Sequence, residues 1–231
     1  MIQQLTTDTQ PEIIYPDRDG QPIADNTKQF RWIVTIKENL EILFAEVADI
    51  FVAGDFLLYP VEGNNKIRQA PDVMVVFGRP KGDRDSYKQW KENNIAPQVV
   101  FKILSPGNRP QEMTRKLLFY QKYGVEEYYI YYPDENDFVG STRVGKSLEV
   151  IPEINSWVSP RLGISFELTA ETLEIYRPDG NKFLTPVELD RLREQEKQRA
   201  EQIQQQLDQE KQRADRLAEM LRERGINPDN V

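Results

Sequence analysis

The run Val99-Val100-Phe101-Lys102-Ile103-Leu104-Ser105-Pro106 decides the fold. Its apolar, β-branched start reads as a buried strand, and Ser105-Pro106 ends it, since proline has no N–H for a ladder and holds the residue before it extended. Lys102 is the residue out of place, a charge inside an apolar run. Upstream, Pro71-Asp72 opens a second short run, Val73-Met74-Val75-Val76-Phe77. Downstream, a helical segment near 111–123 carries Lys116 and Tyr120 and meets Gly124, a residue type that closes helices by adopting a positive φ. Glu127 to Tyr132, rich in aromatics, follows as another strand. Helix and strands in this order predict an α/β (α+β) domain, a mixed β-sheet flanked by helices.

The pattern extends outward on both sides. Residues 1–26 are polar and rich in turn formers, and read as an arm laid over the body. From Thr27, Trp32, Ile33, Ile36, Leu40, Leu43 and Phe44 recur at spacings of three and four, predicting an amphipathic helix of about 20 residues. Ile50 to Ala53 and Phe56 to Tyr59 read as strands with Gly54-Asp55 as the turn. The charged connection between 77 and 98 has room for a short helix, and shorter strands are expected near 138–144, 147–151, 164–167 and 172–176. Turns are expected at Gly140, Gly163 and Pro178-Asp179-Gly180. One domain therefore spans 27–185.

The tail, 186–224, has a different composition: Glu, Gln, Lys, Arg, Ala and Leu, with no glycine or proline after Pro186. Glu196-Lys197-Gln198-Arg199-Ala200-Glu201 returns 14 residues later, two heptads on, as Glu210-Lys211-Gln212-Arg213-Ala214-Asp215. Ala200, Leu207, Ala214 and Leu221 then share one seam position of a coiled coil, and Ile203 and Leu217 the other, with Glu196 and Glu210 interrupting it. Two readings stand: a homodimer through a weak coiled coil, or a solvated single helix stiffened by charge pairs such as Lys211 with Asp215. Gly225 and Pro228 stop the helix, and 225–231 reads as a disordered end.

Composition bounds the chemistry. At 231 residues and 39% hydrophobic content, the chain can bury one good core. It has no cysteine and no histidine, which excludes disulfides, thiolate and imidazole metal ligands, and Ser-His-Asp or Cys-His catalysis. Any metal would be a hard ion on oxygen ligands, Mg²⁺ or Mn²⁺. No apolar run is long enough for a membrane helix and the start lacks a signal-peptide pattern, so the expected place is the cytoplasm. The net charge of −8 is unevenly spread: residues 66–123 hold 12 Lys and Arg against 5 Asp and Glu, leaving 18 against 33 elsewhere. The locally positive part carries the strands and helix around Lys102; it reads as a phosphate-binding surface or as solvated charged loops.

A metal-dependent nuclease holds a hydrated divalent ion against the scissile phosphate with two carboxylates, and a nearby lysine meets the water or the phosphate. Asp72 suits the first acid, although Pro-Asp before a strand is also ordinary turn chemistry. Lys116 suits the lysine, although most helix lysines are simply solvated. Asp55 is a turn acid, or a further ligand if its strand lies beside that of Asp72. Tyr120, Tyr123, Tyr128 and Tyr129 read as core and interface.

Taken together, Pro71-Asp72-Val73, then Val99 to Pro106, then Lys116-Leu117 with Phe119-Tyr120, then Tyr123-Gly124-Val125 with Glu127-Tyr128-Tyr129-Ile130 resemble the Uma family of restriction endonucleases in the PD-(D/E)XK superfamily. Tyr176-Arg177-Pro178-Asp179-Gly180 and the charged tail are similar to a common subgroup, and the resemblance covers most of 27–185. It implies a restriction-endonuclease-like sheet and Mg²⁺-dependent cleavage of DNA phosphodiesters. Asp72 takes the place of the first acid, position 102 that of the second and Lys116 that of the lysine, while the Ile103 carbonyl can also face the metal. The chain departs from the family at Lys102, where members usually read Glu-Ile-Leu-Ser-Pro. A divalent ion about 5 Å from a unit charge at an effective dielectric of about 20 interacts by roughly 6–7 kcal/mol, and exchanging attraction for repulsion about doubles the difference. Lys102 is therefore expected to pair with Asp72 in place of the metal. Three functions stand: an endonuclease with Asp72 and Lys116 at work, an inactive pseudonuclease that holds nucleic acid or a protein partner and dimerises through its tail, or a tail-driven scaffold with an idle domain. Glu46 or Asp55 could supply the missing acid for the first.

Overall fold

Asn26 starts the first helix, its side chain accepting the Gln29 N–H at 2.8 Å. That helix, α1 (Thr27–Leu43), buries Ile33, Ile36 and Leu40 at helical spacing. The computed structural model describes residues 13–17, 20 and 24–225. After α1 come β1 (Ile50–Gly54), β2 (Leu58–Tyr59), β3 (Val73–Phe77), β4 (Tyr87–Lys88) and β5 (Val99–Ile103). Then follow α2 (Pro110–Lys122), β6 (Glu127–Tyr132), β7 (Asp137–Val144), β8 (Ser147–Val150), β9 (Ser165–Leu168), β10 (Leu173–Tyr176) and α3 (Pro186–Glu223). The charged connection holds a single 3-10 turn, Gln89–Lys91, after β4.

Six strands form one mixed sheet in the order β1-β3-β5-β6-β7-β8. Only β5 and β6 are parallel; the other neighbours are antiparallel. Parallel neighbours need a crossover of a dozen or more residues, and α2 is that crossover. Side-chain alternation then sorts the strands onto two faces. Val52, Val73, Val75, Val99, Phe101, Ile103, Tyr129 and Tyr131 pack with α1 and with Phe166, Leu173 and Ile175 of the β9–β10 pair. Phe51, Ala53, Met74, Val76, Val100 and Tyr128 pack with Tyr120 of α2 and with Leu58 and Tyr87 of the β2–β4 pair. Buried Tyr120, Tyr128 and Tyr129 are thus core residues.

Arg143 of β7 fastens the end of α2 to the sheet. Its guanidinium donates to the Gln121 carbonyl at 2.8 Å, an acceptor that the helix end leaves open, and to the Val125 carbonyl beyond the helix at 2.6 and 2.8 Å. Gly124 follows α2 at φ 94°, the left-handed conformation expected of it.

Two expectations change. The segment at 56–59 does not pair with β1: it shortens to β2 and joins β4 in a separate parallel pair. Gly140 is not in a turn but inside β7, opposite Tyr129. A Cβ there would lie 2.5 Å from Ile154 Cδ1 and 2.9 Å from Ile151 Cδ1, so the residue is small because the core closes over it.

The chain divides into two compact units at Phe183–Leu184. The second contains α3, 38 residues begun by a capping box between Thr185 and Glu188 and with no buried residue. Among the described residues no helix is long and apolar enough to cross a membrane. Of the N-terminal arm, Tyr15 and Pro16 lie against the body: the Tyr15 hydroxyl accepts the Gly63 N–H at 2.6 Å, and the Tyr59 hydroxyl donates to the Pro16 carbonyl at 2.7 Å. Most of that arm, and residues 226–231 of the expected disordered end, lie outside the described residues.

Candidate active site at the strand ends

The antiparallel register of β3 and β5 opposes Val73 to Phe101, and one further step opposes Asp72 to Lys102. Met74 and Val100 face α2, so Asp72 and Lys102, two residues along each strand, face it as well. The side chains meet there: Lys102 Nζ donates to Asp72 Oδ1 at 2.8 Å, and the Ile103 N–H donates to Asp72 Oδ2 at 2.6 Å. Both side chains are buried, 10% exposed for Lys102 and 5% for Asp72. Burial pushes the Asp72 carboxyl up from its ordinary value, while the Lys102 ammonium, the Ile103 N–H and, at longer range, Lys116 pull it back.

These residues border a cleft of about 840 Å³ lined also by Asp25, Gln29, Asp55, Gln69, Asn108, Glu112, Arg115 and Lys116. Lys116 lies one helical turn before buried Tyr120, which aims it at the sheet end, and Glu112 pairs with it at 2.7 Å from the turn before. Asp55 follows β1 at φ 45°, and its N–H donates to the Asp72 carbonyl at 3.0 Å, which sets it on the same rim. Glu46 is not among the lining residues.

The Ile103 carbonyl, expected to face a metal, accepts instead from Gln29 Nε2 at 2.8 Å in a buried contact. Gln29 Oε1 in turn accepts the Asp25 N–H at 2.7 Å, and the Asp25 carboxylate accepts the Ser105 hydroxyl. Asn108 Oδ1 accepts the Ser105 N–H at 2.8 Å. Sequence reasoning did not single out Gln29, Asp25, Asn108 or Arg115. Asn26-x-x-Gln29 is a recognisable helix-start pattern, and it offered a signal for Gln29. Nothing in the sequence places the other three on this cleft.

A hard divalent cation needs several oxygen donors converging on one point. Here one Asp72 oxygen faces an ammonium, the other holds an N–H, and the Ile103 carbonyl is engaged by Gln29. Among the described residues no three acids cluster in a metal-holding arrangement. The donor set around Asp72 does not fit Mg²⁺ or Mn²⁺.

A family model, Uma2, described as "Putative restriction endonuclease", matches residues 2–210. A solved structure from Anabaena variabilis ATCC 29413, described as a putative nuclease belonging to DUF820, is similar at 16% identity. The match covers 56% of this chain and 70% of that one with a TM-score of 0.41. No curated protein matches.

Proposed function

This chain belongs to the Uma2 family, and from that premise we propose that it is a nuclease-fold protein that binds nucleic acid in the Lys102–Lys116 cleft without hydrolysing it, and that two copies associate through α3. One observation carries the proposal: the Lys102 ammonium sits 2.8 Å from Asp72, where a nuclease of this fold would need a cation-holding carboxylate. Bringing in a divalent ion would require Lys102 to leave a buried partner and stay nearby as a repelling charge.

The same cleft offers contacts for phosphate. Arg115 is exposed and, among the described residues, in no ion pair. Lys116 is held at the rim by Glu112. Four carboxylates line the cleft beside three cations, and two of those cations are already paired. Binding therefore rests on a few contacts and is modest in strength, with a shallow salt dependence of about one or two phosphates neutralised.

The test uses supercoiled plasmid and a fluorescent duplex oligonucleotide. The plasmid stays intact with Mg²⁺ or Mn²⁺, while anisotropy reports binding that weakens on combined Arg115→Ala and Lys116→Ala substitution. Metal-dependent nicking abolished by Asp72→Ala would overturn the proposal in favour of an active endonuclease, with Asp55 or Asp25 as the second acid. No anisotropy change at low salt would remove the nucleic-acid role.

A further inference from the structure

The association of two copies through α3, on which this inference rests, leaves open how the copies are arranged. Residues 189, 196, 203, 210 and 217 share one seam position, and 193, 200, 207, 214 and 221 the other. Ile203, Leu207 and Leu217 of this seam are exposed, and no residue of α3 is buried. A parallel, in-register pair would set Arg193 against Arg193, Glu196 against Glu196 and Glu210 against Glu210. All three layers would oppose like charges.

An antiparallel pair removes these conflicts, and one register also sets the opposite charges of the seam against each other. With Ala200 opposite Ile203 of the second copy, Arg193 falls opposite Glu210, Leu189 opposite Ala214, and Glu196 opposite Leu207. On the flank, Asp190 comes beside Lys211, and Arg199 beside Gln206. We propose that α3 is the seam of an antiparallel homodimer in this register, with Arg193 and Glu210 pairing twice across the twofold axis. Charge complementarity selects both the occupant, a second copy, and its direction.

Antiparallel pairing has a functional consequence. The overlap runs from about 186 to 217, so the two points where the helices meet their own first units lie about 50 Å apart along the rod, at 1.5 Å per residue. In a parallel pair they would lie side by side. Such a dimer carries two copies of the nucleic-acid cleft, which suits it to binding two segments and gaining avidity from both.

The chain contains no cysteine, so introduced thiols report cleanly. Leu189→Cys and Ala214→Cys proteins, mixed and oxidised, are expected to give the 189–214 heterodisulfide, with little homodisulfide of either. Homodisulfides as the main products, or a monomer on sizing at tens of micromolar, would overturn the proposal. Glu210→Arg is expected to weaken dimerisation about tenfold or more, and adding Arg193→Glu to restore it; no loss, or no rescue, would overturn the register. These readouts do not involve the cleft. A dimer that fails to bind nucleic acid would count against the function proposed above, and a binding monomer against this inference alone.

Discussion

Lys102 and Asp72 oppose each other on adjacent antiparallel strands, one step beyond the last paired residues of β3 and β5, and close a buried ion pair at 2.8 Å. The pair is also tied to the backbone, because the second Asp72 oxygen holds the Ile103 N–H. Removing one member of such a pair strands the other, whereas replacing both together costs much less.

Lys102→Ala is therefore expected to destabilise the domain by about 3 kcal/mol or more, and Lys102→Met with Asp72→Asn by clearly less than the sum of the single changes. Urea melts of the two single variants and the double check this through the coupling energy.

Lys102→Glu turns the pair into two facing carboxylates. The variant should be less stable than the wild type without metal and should gain a Mn²⁺-dependent rise in Tm that the wild type lacks, since a ligand bound only by the folded state stabilises it. Equal Mn²⁺ response in both proteins would contradict the account of Lys102 as a substitute cation.

Glu127 organises a second buried polar group. It accepts from the Arg161 N–H at 2.8 Å, from the Tyr129 hydroxyl at 2.9 Å and from the Ser159 hydroxyl. Glu127→Ala leaves these donors without their acceptor and is expected to cost about 2–4 kcal/mol, and Glu127→Gln less, because hydroxyls can turn to accept. Thermal or urea melts of both variants give the order.

Glu127 also sets a pH dependence. Burial raises its carboxyl from the ordinary 4.5, against hydrogen bonds from Ser159, Tyr129 and the Arg161 N–H, while Glu126 adds to the rise. A raised folded value means that the fold favours the protonated form. Its contribution is complete below the unfolded value and is lost as pH rises through the folded one. Stability relative to Glu127→Gln should therefore fall as pH climbs above about 4.5, measured by urea melts across a pH series. Glu92 runs the other way: although burial pushes it up, Arg84 and Arg79 hold it below its ordinary value. The comparison with Glu127→Gln isolates the Glu127 contribution.

Gly140→Ala should cost about 1 kcal/mol, because the new methyl would push aside the terminal Cδ1 groups of partly buried Ile154 and buried Ile151. A neutral change in Tm would show that those side chains yield freely.

Much of the domain was legible because period and punctuation are local properties. The apolar run at 73–77 became β3, the one ending at Ser105-Pro106 became β5, and Gly124 closed α2. Gly140 misled because a glycine that makes a turn and one that yields space to a neighbour look alike in one dimension; the neighbours, Ile151 and Ile154, come later in the chain. The segment at 56–59 misled because its partner, β4, is set by tertiary packing and not by nearness in sequence.

At the candidate site the division is similar. By itself the sequence determined that a lysine stands at 102, that Asp72 opens a strand and that Lys116 lies one turn before Tyr120, since each follows from spacing along one element. Only the tertiary structure decided that Gln29 takes the Ile103 carbonyl and that Asp25, Asn108 and Arg115 share the cleft. Those contacts join α1, β5 and α2, and the sheet register and crossover that bring them together are fixed by burial of both faces at once, a constraint that no single stretch of residues contains.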